Sequence, residues 1–162
     1  MTISVKNEKK QEKDNFTEAL EALKNDPDIR VMRQFKQHTV SNTFNHVCHV
    51  ARMSHKIEKK LHVKVDEKSL LRGAVLHDYY LYDFRKHPMS AYRHGTSHAG
   101  TALKNAEEKF NLNETEKNII YSHMWPLNLT HIPRCREAWI VTLADKICAF
   151  EEMVLHLNFS EG

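Results

Sequence analysis

The sequence predicts an all-α fold, a compact bundle of several helices. Apolar residues recur at spacings of three and four along most of the chain, which is the period of an amphipathic helix. The 162 residues include only four glycines and four prolines, too few for the many turns of an all-β domain. We therefore expect a single helical domain over residues 15–162, preceded by a flexible charged tail over residues 1–14.

The first part of the chain contains three helix signals. Phe16, Leu20 and Leu23 fall on one helical face. Asn25-Asp26-Pro27 then interrupts the pattern, and Pro27 fits the first turn of a new helix. The helices are expected over residues 16–24, from Pro27 toward Gln37, and from a cap at Ser41, Asn42 or Thr43 to about Leu61.

Helix-capping residues also indicate where helices begin in the second part of the chain. Asp66 can begin a helix that runs to about Tyr80, and Asn113-Glu-Thr-Glu116 has the pattern of a capping box. Residues 82–96, with Pro88 and Gly95, predict a loop. The remaining helices are expected from Thr96 or Ser97 to about Phe110, from Asn113 through His123, and from Pro133 to about Leu157 with Ile140, Leu143, Ile147, Phe150 and Val154 as the apolar stripe.

Net charge and cysteine content indicate the partners and the cellular compartment to expect. The formal net charge is +3, which argues against a nucleic-acid partner because no basic stripe accompanies it. Cys48, Cys135 and Cys148 are far apart and are expected to be free thiols in a reducing cytoplasm. We expect no membrane segment and no signal peptide, and the sequence leaves a homo-oligomer open.

Histidines and aspartates within apolar helical segments are the feature of the sequence that indicates a functional site. There are 12 histidines in the chain, and histidine is the commonest transition-metal ligand. A carboxylate inside an apolar segment is costly unless it is paired or binds a metal. Each such residue alone fits a buried hydrogen bond, but six of them on five predicted helices fit a shared site for Fe, Mn, Co, Ni or Zn. The six candidates are His46, His77, Asp78, His98, His123 and Asp145.

These residues resemble, in order, the motifs of the HD-domain superfamily of metal-dependent phosphohydrolases. His46 stands four residues before a Val-Ala pair, and Leu76-His77-Asp78 is similar to the doublet that names the family. The resemblance covers roughly residues 40–155. The other three motifs are His98-Ala-Gly100, an apolar run from Ile119 that closes on His123, and Leu143-Ala144-Asp145-Lys146.

The resemblance implies a phosphohydrolase in which a metal-activated hydroxide attacks a phosphoester or phosphoanhydride of a nucleotide or other small phosphorylated metabolite. The chain resembles small bacterial HD-domain proteins. His98 and His123 resemble the dinuclear branches of the superfamily, which include the HD-type diadenosine tetraphosphate hydrolases and the HD-GYP cyclic-dinucleotide phosphodiesterases. HD-GYP phosphodiesterases carry a Gly-Tyr-Pro signature after the fourth motif, where this chain has Met124-Trp125-Pro126. This difference argues against a cyclic-dinucleotide substrate. We expect one or two ions: His46, His77, Asp78 and Asp145 at the first position, and His98 and His123 at a second that shares Asp78.

Residues near these motifs are candidates for substrate contacts and proton transfer. His94 lies one turn before His98 and could protonate the leaving oxygen, while Asp83 could orient a ligand or take part in acid–base chemistry. His49, one turn after His46, is assigned a supporting or packing role. Arg85, Lys86, Arg93 and Lys146 are candidates for binding phosphate.

Two other functions fit the same residues. An HD-type di-iron oxygenase would use a similar ligand set but consume dioxygen. A non-catalytic, metal-binding regulatory module would keep the ligands for stability alone. The complete set of ligands favours an enzyme over the regulatory module.

Overall fold

The computed structural model describes residues 2–36, 42–83 and 91–160, and these form an all-α fold, as predicted. Within these ranges the extended pairing is limited to one isolated bridge between Lys36 and Asn42. No described helix is both long and apolar enough to cross a membrane. The helices are α1 (Thr2–Asn25), α2 (Pro27–Arg30), a 3₁₀ helix (Val31–Gln34), α3 (Thr43–Leu61), α4 (Glu67–Leu76), α5 (Ala91–Lys109), α6 (Glu114–Ser122) and α7 (Arg136–Ser160).

The first helix is longer than the apolar pattern predicted. It begins at Thr2 rather than near Phe16, so the segment expected to be a tail is helical over residues 2–14. That segment is rich in Lys and Glu and lacks Gly and Pro, so its helix propensity is high even without an apolar face. The division into tail and domain stays a prediction.

Side-chain caps fix where three of the helices begin, as predicted. The Asn42 side chain accepts from the Asn45 amide at 2.8 Å, and Asp66 caps α4 through the amides of Lys68 and Ser69. Asn113 and Glu116 form the expected capping box at the start of α6. Because each cap satisfies backbone amides that would otherwise have no partner, these three starts are set locally.

The helices before and after the predicted 82–96 loop have bounds that differ from those predicted. The α4 helix ends at Leu76, and residues 77–80 form a turn instead of the helix's last turn. The α5 helix begins at Ala91, five residues before Thr96, so part of the predicted loop is helical. Gly95 suggested a loop, but it is buried inside α5, where a β-carbon would lie 2.8 Å from Leu127.

The core lies around α3, which packs against α4 and α7, while α6 packs against α4, α5 and α7. The predicted apolar stripe of α7 is wrong in part, because Leu143 and Phe150 are 49% and 62% exposed. The buried face instead contains Ala138, Val141 and Cys148. Since α7 carries apolar residues on both sides, its periodicity did not indicate which side faces the core.

A close approach of α4 and α6 occurs at Gly73. A β-carbon there would lie 2.9 Å from Cγ2 of Ile119, and nearer still to its Cδ1 atom. Real β-carbons essentially never come so close to a neighbour, so the glycine allows this spacing. His77 follows Gly73 by one helical turn, and His123 follows Ile119 by the same interval.

Candidate metal centre

All six predicted ligands come together in the interior of the bundle. Each lies on a different packed element, except that His77 and Asp78 are neighbours in the turn after α4. His46 is on α3, His98 on α5 and Asp145 on α7, and His123 is the C-cap of α6. The six side chains are all buried, and Asp145 is the most exposed at 9%.

His77 and His123 occupy equivalent positions at the ends of two helices. His77 Nδ1 donates to the carbonyl oxygen of Ala74 at 2.7 Å, and His123 Nδ1 donates to that of Ile120 at 2.8 Å. Each bond fixes the tautomer with the proton on Nδ1, so that the neutral ring turns the Nε2 lone pair toward the cluster. This is the state in which an imidazole binds a metal.

Asp78 lies between two pairs of imidazoles. Its Oδ1 atom is 3.2 Å from His98 Nε2 and 3.4 Å from His123 Nε2. Its Oδ2 atom is 3.5 Å from His77 Nε2 and 3.8 Å from His46 Nε2. The carboxylate is only 2% exposed, so its charge is shared among these rings rather than solvated by bulk water.

His46 is held from both sides by carboxylates of α7. Its Nε2 atom lies 3.0 Å from Asp145 Oδ1, and its Nδ1 atom lies 3.0 Å from Glu152 Oε1. Sequence reasoning missed Glu152. The signal was present in its position seven residues after Asp145, which places the two acids on the same face of a helix.

The electrostatics of the metal-free cluster follow from these contacts. Burial alone lowers the pKa of His46, but Asp145 and Glu152 outweigh burial and raise it to about 10. Burial would raise the pKa of Asp78 and Asp145, yet the surrounding imidazoles hold both well below the usual range. Burial lowers the pKa of His123. The centre thus holds two ionised carboxylates beside a protonated His46 and a neutral His123, and this excess of negative charge favours a bound cation.

The unmet polar contacts also fit a metal ion. Among the residues that the structure describes, His77 Nε2 is buried without a hydrogen bond. His98 Nε2 and His123 Nε2 face each other at 2.9 Å, so two lone pairs would meet unless a proton or a cation lay between them. Among the six predicted ligands, two groups have ligand atoms within 4.8 Å of one another, namely His46 with His77 and Asp78, and Asp78 with His98 and His123. Imidazole and carboxylate donors of this kind suit a divalent transition metal.

A family model of the HD domain matches residues 43–149, most of the chain. The chain belongs to the HD domain family. This superfamily consists in general of metal-dependent phosphohydrolases that bind divalent metals, in agreement with the predicted resemblance. No curated protein and no solved structure matches the chain significantly. The six clustered residues are called the HD centre below.

The other predicted site residues lie around the HD centre or outside the described residues. Lys146 is exposed and donates to the carbonyl oxygen of His123 at 2.9 Å, with Asp145 Oδ2 at 3.9 Å. Asp83 is half-buried and lies near Tyr80, whose pKa is raised mainly by burial and then by Asp78. Arg93 is exposed in the first turn of α5. Arg85 and Lys86, and the side chain of His94, lie outside the described residues.

Proposed function

We propose that this HD domain hydrolyses a phosphoester or phosphoanhydride bond of a nucleotide or another small phosphorylated metabolite. The observation that carries the proposal is the buried Asp78, which faces one imidazole pair with each carboxylate oxygen. That arrangement suits two ions bridged by one carboxylate, and paired ions are a common solution for phosphoryl transfer. The predicted similarity to HD-type diadenosine tetraphosphate hydrolases makes nucleotide polyphosphates the first substrates to examine.

The proposed ligands divide into two groups around Asp78. His46, His77, Asp78 and Asp145 would hold one ion, and His98 and His123 would hold a second with Asp78 shared. Bound divalent metals would activate a water molecule as nucleophile at neutral pH and neutralise charge on the phosphoryl oxygens.

The chain contributes preorganisation. The Nδ1 bonds of His77 and His123 to their own helices keep both rings aimed before any ion binds, so little reorganisation remains for the binding step. Burial of all six side chains excludes bulk water, which strengthens each electrostatic interaction inside the centre. His46 is protonated on both ring nitrogens, which face Glu152 and Asp145, and it would have to give up its Nε2 proton to serve as a metal ligand.

Substrate is proposed to approach beside Asp145, the most exposed member of the HD centre. Lys146 is adjacent in the chain, and its ammonium group lies 3.9 Å from Asp145 Oδ2. A phosphate in that position would replace the contact to the His123 carbonyl with a charge-assisted bond. Arg85, Lys86 and Arg93 stay proposals for further phosphate contacts, and His94 and Asp83 for proton transfer.

The function is tested by metal analysis of the purified protein, followed by a screen of phosphate monoesters and nucleotides with and without chelator. We expect bound divalent metal and phosphate release that the chelator abolishes. Activity that survives complete removal of metal would overturn the mechanism. Dioxygen consumption by an iron-loaded sample, without phosphate release from any substrate, would favour an oxygenase instead.

A pair of variants connects that activity to the HD centre. His77→Ala removes a ligand whose Nε2 atom is otherwise unused, so metal content and turnover should fall together. His62→Asn is the matched control, because His62 is exposed and has a left-handed backbone (φ 53°) that asparagine tolerates. Full activity in metal-loaded His77→Ala would show that the proposed site is wrong.

A further inference from the structure

A second group of metal-ligating side chains lies one helical turn beyond the HD centre. On α3, His49 follows His46 by three residues, and on α7, Cys148 and Glu151 follow Asp145 at intervals of three. Because α3 and α7 pack together, the same step along both helices brings these residues to one place. His49, Cys148 and Glu151 each offer a ligand atom within 4.8 Å of the other two. They are called the outer cluster below.

The donor set of the outer cluster differs from that of the HD centre. It combines an imidazole, a thiol and a carboxylate, whereas the HD centre contains no sulfur. Thiolate ligands favour Zn²⁺ and softer cations. His49 Nε2 already lies 3.2 Å from Glu151 Oε2, so small side-chain rotations would aim both atoms at one ion.

The burial of the three residues gives the cluster an inner and an outer side. Cys148 is fully buried, while the side chains of His49 and Glu151 are 38% and 45% exposed. An ion could therefore reach the cluster from solvent, with Cys148 Sγ on its inner side. Burial raises the pKa of this thiol to about 12, so a bound ion would have to displace its proton. A fourth position would stay open to water, as in zinc sites with three protein ligands.

Glu152 connects the outer cluster to the HD centre. Its Oε1 atom lies 3.0 Å from His46 Nδ1 and 3.6 Å from His49 Nδ1. Carboxylates that face the second nitrogen of a ligating imidazole orient the ring and raise its basicity. One carboxylate is thus placed to support an imidazole of each site.

We propose that His49, Cys148 and Glu151 form a separate metal site for Zn²⁺ or a cation of similar softness. The site is independent of the hydrolytic reaction and would exist even if the HD centre had another activity. The competing interpretation is a surface ion pair between His49 and Glu151 that covers a buried cysteine by chance.

Cobalt(II) titration of the full chain separates the two sites, because only a cobalt ion bound by thiolate gives a sulfur-to-metal charge-transfer band in the near ultraviolet. We expect this band in the wild type and in Asp78→Ala, which disables the HD centre. The band should be lost in Cys148→Ser and kept in Cys135→Ser, the control at the half-buried cysteine outside the cluster. Zn²⁺ should then displace Co²⁺ and abolish the band.

The outcome that overturns the proposal is a wild type without the band at saturating Co²⁺, or a band that Cys148→Ser keeps. His49→Gln is a second variant in case Cys148→Ser disturbs the core, since His49 is half-exposed. A folded His49→Gln, checked by circular dichroism, should bind Co²⁺ at the outer cluster at least about tenfold more weakly. An unchanged affinity for Co²⁺ in that variant would show that His49 and Glu151 form only an ion pair.

Discussion

The outer cluster lies one turn beyond His46 on α3 and Asp145 on α7, yet its side chains are held differently from those of the HD centre. In the HD centre, His46, His77 and His123 each have the second ring nitrogen bonded to a carboxylate or a carbonyl. In the outer cluster, the ring nitrogens of His49 lie 3.2 and 3.6 Å from two glutamates near the surface. A histidine therefore belongs to a preorganised site or to an adaptable one according to its burial and to the bonds of its second ring nitrogen.

The largest expected effect comes from Asp78→Ala. Because Asp78 faces both imidazole pairs, its loss should remove metal from both positions of the HD centre and lower turnover by more than about 100-fold. Asp145→Ala should be milder in metal content, since Asp78, His98 and His123 stay together. The measurement is metal stoichiometry beside phosphate release, and equal metal loss in both variants would contradict a shared Asp78.

The next effect is expected from Glu152→Gln. This substitution keeps the shape of the side chain but removes the charge that supports His46 Nδ1. Loss of such a partner costs roughly 10–100-fold in metal affinity or activity. The control is Glu114→Gln, which changes a surface glutamate paired with Lys117. Metal titration of both variants decides the question, and a Glu152→Gln protein with wild-type affinity would show that Glu152 only packs against the ring.

A third prediction concerns the stability of the metal-free protein. The pKa of His46 is raised in the folded state to about 10, from 6.5. Its stabilising contribution is therefore complete below pH 6.5 and is lost as the pH rises toward 10, by up to about 1.4 kcal/mol per pH unit. Urea unfolding with chelator should show the stability advantage of wild type over His46→Gln shrinking between about pH 7 and about pH 9. A constant difference across this range would contradict the ion pairs with Asp145 and Glu152.

The smallest effect is expected at the start of α6. Asn113→Ala removes the side-chain oxygen that accepts from the Glu116 amide at 2.8 Å, which should cost about 1 kcal/mol of unfolding free energy. Metal content should not change, because His123 is fixed at the other end of the helix by Ile120. Urea unfolding and metal analysis together test this. Loss of metal would mean that the HD centre depends on distant helix ends and not on local bonds.

The sequence predicted the features of this molecule that depend on local chemistry. The caps at Asn42, Asp66 and Asn113 were visible because each satisfies backbone amides within three residues. The six residues of the HD centre were predicted because polar groups in apolar segments need partners and because their order resembles a family.

Features that depend on how helices face one another were not predicted. Glu152 and the outer cluster become meaningful only when α3 and α7 are placed side by side. The core face of α7 was assigned wrongly in part, since Leu143 is as apolar as the residues that are buried. Gly95 suggested a loop, whereas in the structure it lies inside α5 close to Leu127, a tertiary contact that no local pattern encodes.

The close contact between Gly73 and Ile119 requires that residue 73 has no side chain. A β-carbon at position 73 would force the Ile119 side chain or α6 itself to shift. Both contact residues lie one turn before His77 and His123, whose ring centroids are 4.8 Å apart. The spacing of these two ligands therefore depends in part on Gly73, which has no side-chain donor atom. A search for weakened metal binding should begin there as well as among the ligands.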